Sequence, residues 1–287
     1  MKKTLKRLDL FLILAIIFSY VLGLILAKSQ GKTVPFIYIV SGLFFMLGIY
    51  LAETFAIPES PFLEKEGKLT VRAKTFNEPR LLLLLGSIAL TFLSLFFLIK
   101  AHFFEYLFLP ALFVLLGSAA ISLNNSVRSN TLPLRWCLDA FAISPIAYFF
   151  GLQITGLKLA FYPYMLSIPL FLIAAASAMA LFFARFQDEP FYQQAQSMRS
   201  FNWDKALLLF DALSLLGYGL LSVYLLSSGA FGIGWPALLF SLPSLLLSVL
   251  LHRILQGMQP NWKLLKTIAT INYLGPVYLL AYAFLTH

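Results

Sequence analysis

Nine runs of apolar residues, each long enough to cross a bilayer, follow one another along this chain. They are Leu8–Ala27, Val34–Ile57, Leu81–Ile99, Phe103–Leu123, Trp136–Gly156, Leu159–Ala184, Ala206–Ser227, Phe231–Leu251 and Leu264–Leu285. A helix needs roughly 17–20 such residues to cover the hydrocarbon core. Lipid offers no partner to a backbone amide, so runs of this length are expected to be α-helical and to satisfy their own amides. The composition agrees, with 60% hydrophobic and only 11% charged residues, where a soluble domain carries about 25% charged. So little charge cannot coat a water-facing surface. The expected fold is all-α, a polytopic bundle of about nine transmembrane helices forming one domain over residues 1–287. Asp139 and Pro145 interrupt the fifth run, and Pro163 and Pro169 predict a kink or a late helix start in the sixth.

The segments between the runs give the direction. With the N-terminus inside, 17 of the 21 Lys and Arg residues fall on the inner side, and only Lys28, Lys32, Lys100 and Lys158 fall outside. Cytoplasmic loops carry such an excess of Lys and Arg, which places the N-terminus in the cytoplasm. The same distribution accounts for the net charge of +9 without a nucleic-acid partner, because the basic residues lie between apolar runs and not in one polar domain. Met1–Arg7 looks like the n-region of a signal peptide, but the apolar run Leu10–Ala27 is too long for an h-region. Cys137 is the single cysteine, so no intrachain disulfide can form.

Outside connections are short, whereas the inner segments Pro58–Arg80 and Arg185–Lys205 are long and mixed in charge. Long loops tend to carry function, and the acids gather on the same side. Glu53 lies near the inner end of the second run, followed by Glu59, Glu64 and Glu66, while Asp188 and Glu189 directly follow the sixth. Asp139 and Asp211 lie just inside the fifth and seventh runs, where an ionisable group is costly and turns toward a polar cavity or a partner. Pairing with Arg135 or Lys205 explains these two as well as a functional role does. His102, His252 and His287 are too scattered for metal-ligand spacing. Gly229–Gly234 lacks the Lys-Ser/Thr of a phosphate loop. Gly42 with Gly48, and Gly217 with Gly219, read as sites of close helix packing.

Four segments carry a family resemblance. Tyr50-Leu-Ala-Glu53 ends the second run, and Thr75-Phe-Asn-Glu-Pro-Arg-Leu-Leu82 leads into the third. Arg128-Ser-Asn-Thr-Leu-Pro-Leu-Arg-Trp-Cys-Leu-Asp139 precedes and enters the fifth. Ala184-Arg-Phe-Gln-Asp188, followed by Ser200-Phe-Asn-Trp-Asp-Lys-Ala206, joins the sixth to the seventh. With nine helices and acidic segments after the second and sixth, nearly the whole chain resembles the UbiA superfamily of intramembrane prenyltransferases. The resemblance implies that Mg²⁺, held by Asp188, Glu189 and Glu53, grips the diphosphate of an isoprenyl donor. Asp188 and Glu53 would carry the catalysis. Arg72, Lys74, Arg128, Arg135 and Tyr192 would bind the donor, whose isoprenyl group passes to a lipophilic acceptor in an apolar chamber within the membrane. Mg²⁺ takes hard oxygen ligands, and a leaving diphosphate needs its charge neutralised.

The acidic motifs depart from the family pattern. Its Asn-x-x-x-Asp-x-x-x-Asp falls here on Ala52, Ala56 and Ser60, and its second Asp-x-x-x-Asp on Asp188 and Tyr192. Three carboxylates remain, Glu53, Asp188 and Glu189. A non-catalytic relative that keeps the fold and binds a prenyl lipid or a membrane partner is therefore the alternative expectation. A transporter fits less well, because transporters place charges near the midplane and this chain gathers them at one face.

Overall fold

A computed structural model describes residues 10–56, 62–65, 68–71, 78–100, 145–156, 161–188, 203–256, 258 and 261–286. In chain order the elements are α1 (Leu10–Ser29), α2 (Phe36–Ala56), β1 (Phe62–Lys65), β2 (Lys68–Val71), α3 (Glu78–Lys100), α4 (Ala147–Gln153), α5 (Phe161–Met165) and α6 (Ser167–Asp188). Then come α7 (Trp203–Ser227), α8 (Phe231–Gly234), a 3-10 segment (Trp235–Phe240), α9 (Ser241–Leu255) and α10 (Trp262–Thr286). Four helical stretches are long and apolar enough to cross a membrane: Pro163–Leu181, Asp204–Ser227, Phe231–Leu255 and Trp262–Thr286. Ile13–Ser29, Phe36–Gly48 and Leu85–Ser94 are shorter apolar helical stretches. The protein is thus a helical, membrane-type chain. The expected fourth run, Phe103–Leu123, lies outside the described residues, and the fifth is described only from Pro145 onward.

The chain divides into two compact units, Met1–Ile13 with Pro35–Asn130, and Leu14–Val34 with Thr131–His287. In the first, α2 and α3 form an antiparallel pair, because rising positions on one meet falling positions on the other. Ser94 donates to the Ser41 carbonyl at 2.8 Å, and Ser87 to the Gly48 carbonyl at 2.8 Å. A Cβ on Gly48 would lie 2.7 Å from Thr91 Oγ1. Small and hydroxyl-bearing residues therefore line the contact, as expected where helices meet without a hydrophobic driving force between them. Within the segment read as the loop Pro58–Arg80, β1 and β2 pair as a short antiparallel hairpin with Phe62 opposite Val71 and Lys65 opposite Lys68.

In the second unit α1, from Leu14 on, meets α4 at a glycine–glycine crossing. A Cβ on Gly23 would fall on the Tyr148 carbonyl oxygen, and one on Gly151 on the Tyr20 carbonyl oxygen. Gly217 plays the same part between α7 and α6, where a Cβ would meet Ile173 Cγ1 at 2.9 Å. The packing reading of Gly48 and Gly217 holds, whereas Gly219 has nothing within 4 Å of its missing side chain.

Breaks in these helices are patched by side-chain hydroxyls. Pro163 and Pro169 flank the turn at Leu166 that separates α5 from α6, which meets the expected kink. There Tyr148 donates to the Pro163 carbonyl at 2.6 Å and Ser167 to the Tyr164 carbonyl at 2.6 Å. In α10, Pro276 has no N–H for the Asn272 carbonyl four residues earlier. The Tyr218 hydroxyl supplies that donor at 3.0 Å. A carbonyl exposed by proline has no water to turn to at this depth, so a neighbouring helix must satisfy it.

Candidate functional site

The residues named from the sequence divide into two groups. Glu53 lies in the last turn of α2, which ends at Ala56, and Asp188 is the last residue of α6. Both therefore sit at the C-terminal ends of apolar helices. Glu189, Arg72, Lys74, Arg128, Arg135, Tyr192 and Asp139 lie outside the described residues. Among the described residues no three His, Cys, Asp or Glu side chains come together in a metal-binding group. The β1–β2 register sets Lys65 across from Lys68.

Asp211 has a partner that the sequence did not suggest. His252 Nε2 of α9 lies 3.8 Å from Asp211 Oδ2 of α7, and His252 Nδ1 lies 2.9 Å from the Ser248 carbonyl. These two side chains, with Asp204, Leu207, Leu208, Leu255 and Gln256, line an open groove of about 280 Å³. The pair is 51% and 38% exposed, and Leu208 and Leu255 beside it are also exposed. The groove thus joins an ionisable pair to an exposed apolar wall. With both side chains partly in water, the pair contributes little to stability. Its neighbours on the same two helices, Asp204 and Arg253, mark the polar end of the helix pair.

A second polar cluster lies deep among the apolar helices. Asn272 is fully buried; its Nδ2 donates to Ser177 Oγ at 2.9 Å, and its Oδ1 lies 3.0 Å from the Tyr218 hydroxyl. One residue on, the Tyr273 hydroxyl pairs with Ser19 Oγ at 2.5 Å. Ser19, Ser177, Tyr218 and Asn272 each fall near the middle of α1, α6, α7 and α10. Four helices are therefore tied together at one level. Sequence reading passed over this cluster because it searched for charge. The usable signal was an amide in the interior of the ninth run, four residues before a proline: Asn272-Tyr-Leu-Gly-Pro276.

The network is satisfied within itself, which suits a structural tie more than a reactive centre. Tyr218 shares one proton between the Asn272 carbonyl and Oδ1, and Asn272 passes its own proton on to Ser177. No protein-family model matches the chain, and no curated protein sequence matches it.

Proposed function

We propose that this chain is a UbiA-like intramembrane prenyltransferase that spans the bilayer nine times with its N-terminus in the cytoplasm. It would transfer an isoprenyl group from an isoprenyl diphosphate to a lipophilic acceptor, working at the cytoplasmic face. Two kinds of support bear on the topology. The Lys and Arg residues alternate across the nine apolar runs. In addition, α1, α2 and α3 have 20, 21 and 23 residues, and a 20-residue helix is about 30 Å long, the thickness of the hydrocarbon core.

The observation that carries the functional reading is the pair of carboxylates at helix C-termini. Glu53 lies in the last turn of α2 and Asp188 ends α6. Unpaired main-chain carbonyls give a helix C-terminus a partial negative charge, so an acid placed there is unfavourable unless a cation joins it. The last turn of α2 holds no basic residue. Carboxylate and carbonyl oxygens are the hard donors that Mg²⁺ selects, so the donor types at both ends fit this ion. Glu53, Asp188 and Glu189 are its proposed ligands. When bound, Mg²⁺ would neutralise the departing diphosphate. Arg72, Lys74, Arg128, Arg135 and Tyr192 would orient the donor, with Lys65 and Lys68 adding positive charge on the same side. The apolar spans would exclude water from the allylic carbon.

The test is binding of farnesyl diphosphate to the protein in nanodiscs, with and without Mg²⁺. The expected result is Mg²⁺-dependent binding that Asp188→Ala weakens at least tenfold. Binding indifferent to both Mg²⁺ and Asp188→Ala would remove the reading. Binding that responds to both, without consumption of donor in the presence of prenyl acceptors, would instead identify a non-catalytic prenyl-lipid binder of the same fold.

A further inference from the structure

We infer that the groove between α7 and α9 is a lipid-headgroup site, in which a primary ammonium group, as carried by phosphatidylethanolamine, bridges Asp211 and His252. Neither residue is part of the proposed diphosphate site. His252 Nδ1 lies 2.9 Å from the Ser248 carbonyl oxygen. A carbonyl only accepts, so Nδ1 carries a proton, and in the neutral ring Nε2 is left as an acceptor. That acceptor faces the Asp211 carboxylate, with 3.8 Å between Nε2 and Oδ2. The gap is too wide for one hydrogen bond, and it sets two acceptors side by side that call for a shared donor. A group with at least two N–H bonds, about 2.8 Å from each acceptor, spans it.

Charge decides the kind of donor. With His252 neutral, Asp204 and Asp211 are the only charged residues among those that line the groove. Asp204 lies seven residues before Asp211 on the same stripe of α7, so negative potential runs along the groove. In a chain of net charge +9 this is a local reversal of sign, and it selects a cation over water. Arg253 and Lys205, both exposed, directly follow His252 and Asp204, which sets positive charge beside the groove for a phosphate. Acids inside and bases beside match a zwitterionic head. The depth matches as well. His252 lies nine residues past Pro243, the midpoint of Phe231–Leu255, or about 13 Å along the axis. The hydrocarbon core ends about 15 Å from its centre, where headgroups begin. Toward the membrane interior the same stripes continue with Leu215 and Leu245, both exposed, which offer an acyl chain its bed.

The experiment is native mass spectrometry of the full chain, titrated with lipids that differ only in the amine: phosphatidylethanolamine, its N-methyl and N,N-dimethyl forms, and phosphatidylcholine. Each added methyl removes an N–H donor, and two donors are needed to reach both acceptors. The first two lipids should therefore bind alike, and the last two about tenfold more weakly, as the loss of one charge-assisted hydrogen bond implies. Asp211→Asn keeps the shape of the side chain and should erase that step without moving the unfolding midpoint; His252→Phe should erase it too. Free ethanolamine at the lipid's concentration should displace nothing, because it lacks the phosphate and the acyl chains. Equal binding of all four lipids, the result if an imidazolium keeps Asp211 for itself, overturns the site. So does a step that survives Asp211→Asn, or displacement by free ethanolamine.

Discussion

Adding one methyl group at the crossing of α1 and α4 should cost more than adding it almost anywhere else in the described helices. A Cβ on Gly23 would fall on the Tyr148 carbonyl oxygen and lie 3.1 Å from both Gly151 Cα and Leu152 N. Every one of these neighbours is backbone, so no side chain can swing aside. The helices must part, and the contacts around Tyr20 and Phe150, both fully or almost fully buried, loosen with them. Overpacking usually costs about 1–3 kcal/mol, and a backbone-on-backbone clash belongs at the upper end, so Gly23→Ala should destabilise by about 3 kcal/mol. Gly151→Ala meets the Tyr20 carbonyl and should cost the same. The double substitution should cost clearly less than the two single ones added together, since the first already separates the helices. Gly219→Ala is the internal control. Nothing lies within 4 Å of its Cβ, and replacing a helical glycine there should stabilise by up to about 1 kcal/mol. Reversible unfolding in bicelles, followed by steric trapping, gives all four values. If Gly23→Ala proves as harmless as Gly219→Ala, the close crossing is wrong.

Two further outcomes follow from the same structure. Tyr148→Phe keeps the ring but leaves the Pro163 carbonyl without that donor, so it should destabilise by about 1–2 kcal/mol in the same unfolding assay. Tyr278→Phe, at an exposed position, should be neutral there, and equal effects would show that the hydroxyl of Tyr148 does not patch the break. For topology, Lys158→Cys in a Cys137→Ser background should react with a membrane-impermeant maleimide on intact cells, whereas Lys68→Cys should react only after permeabilisation. The reverse pattern would invert the proposed orientation.

What the sequence could convey depended on whether a property is local or shared. Helix positions were legible because span length and apolar content are read along one strand of chain. Thus the expected runs Ala206–Ser227 and Leu264–Leu285 fall inside α7 and α10 to within three residues. Pro163 and Pro169 announced the break at Leu166 for the same reason, since a missing N–H is a property of the residue itself. Partnerships were not legible. For Asp211 the sequence offered only Lys205, close by along the chain, and gave no sign of His252 on α9, which lies 3.8 Å from it. The short hairpin Phe62–Val71 escaped because two strands of four residues leave no periodic signal among charged neighbours.

The deeper miss concerns what counts as polar in a membrane. Charge was taken as the mark of function, so the interior of the bundle read as empty. The costly groups in hydrocarbon include main-chain carbonyls as well as carboxylates, and prolines create them at predictable places, four residues upstream. Pro276 points at Asn272 in this way, and the structure places Tyr218 there. A helical membrane chain can therefore be searched for its helix-to-helix ties by asking of each proline which hydroxyl or amide on another span can reach the carbonyl it frees. In this protein that question leads from Pro276 to a cluster joining α6, α7 and α10, a connection no reading of charge could have drawn.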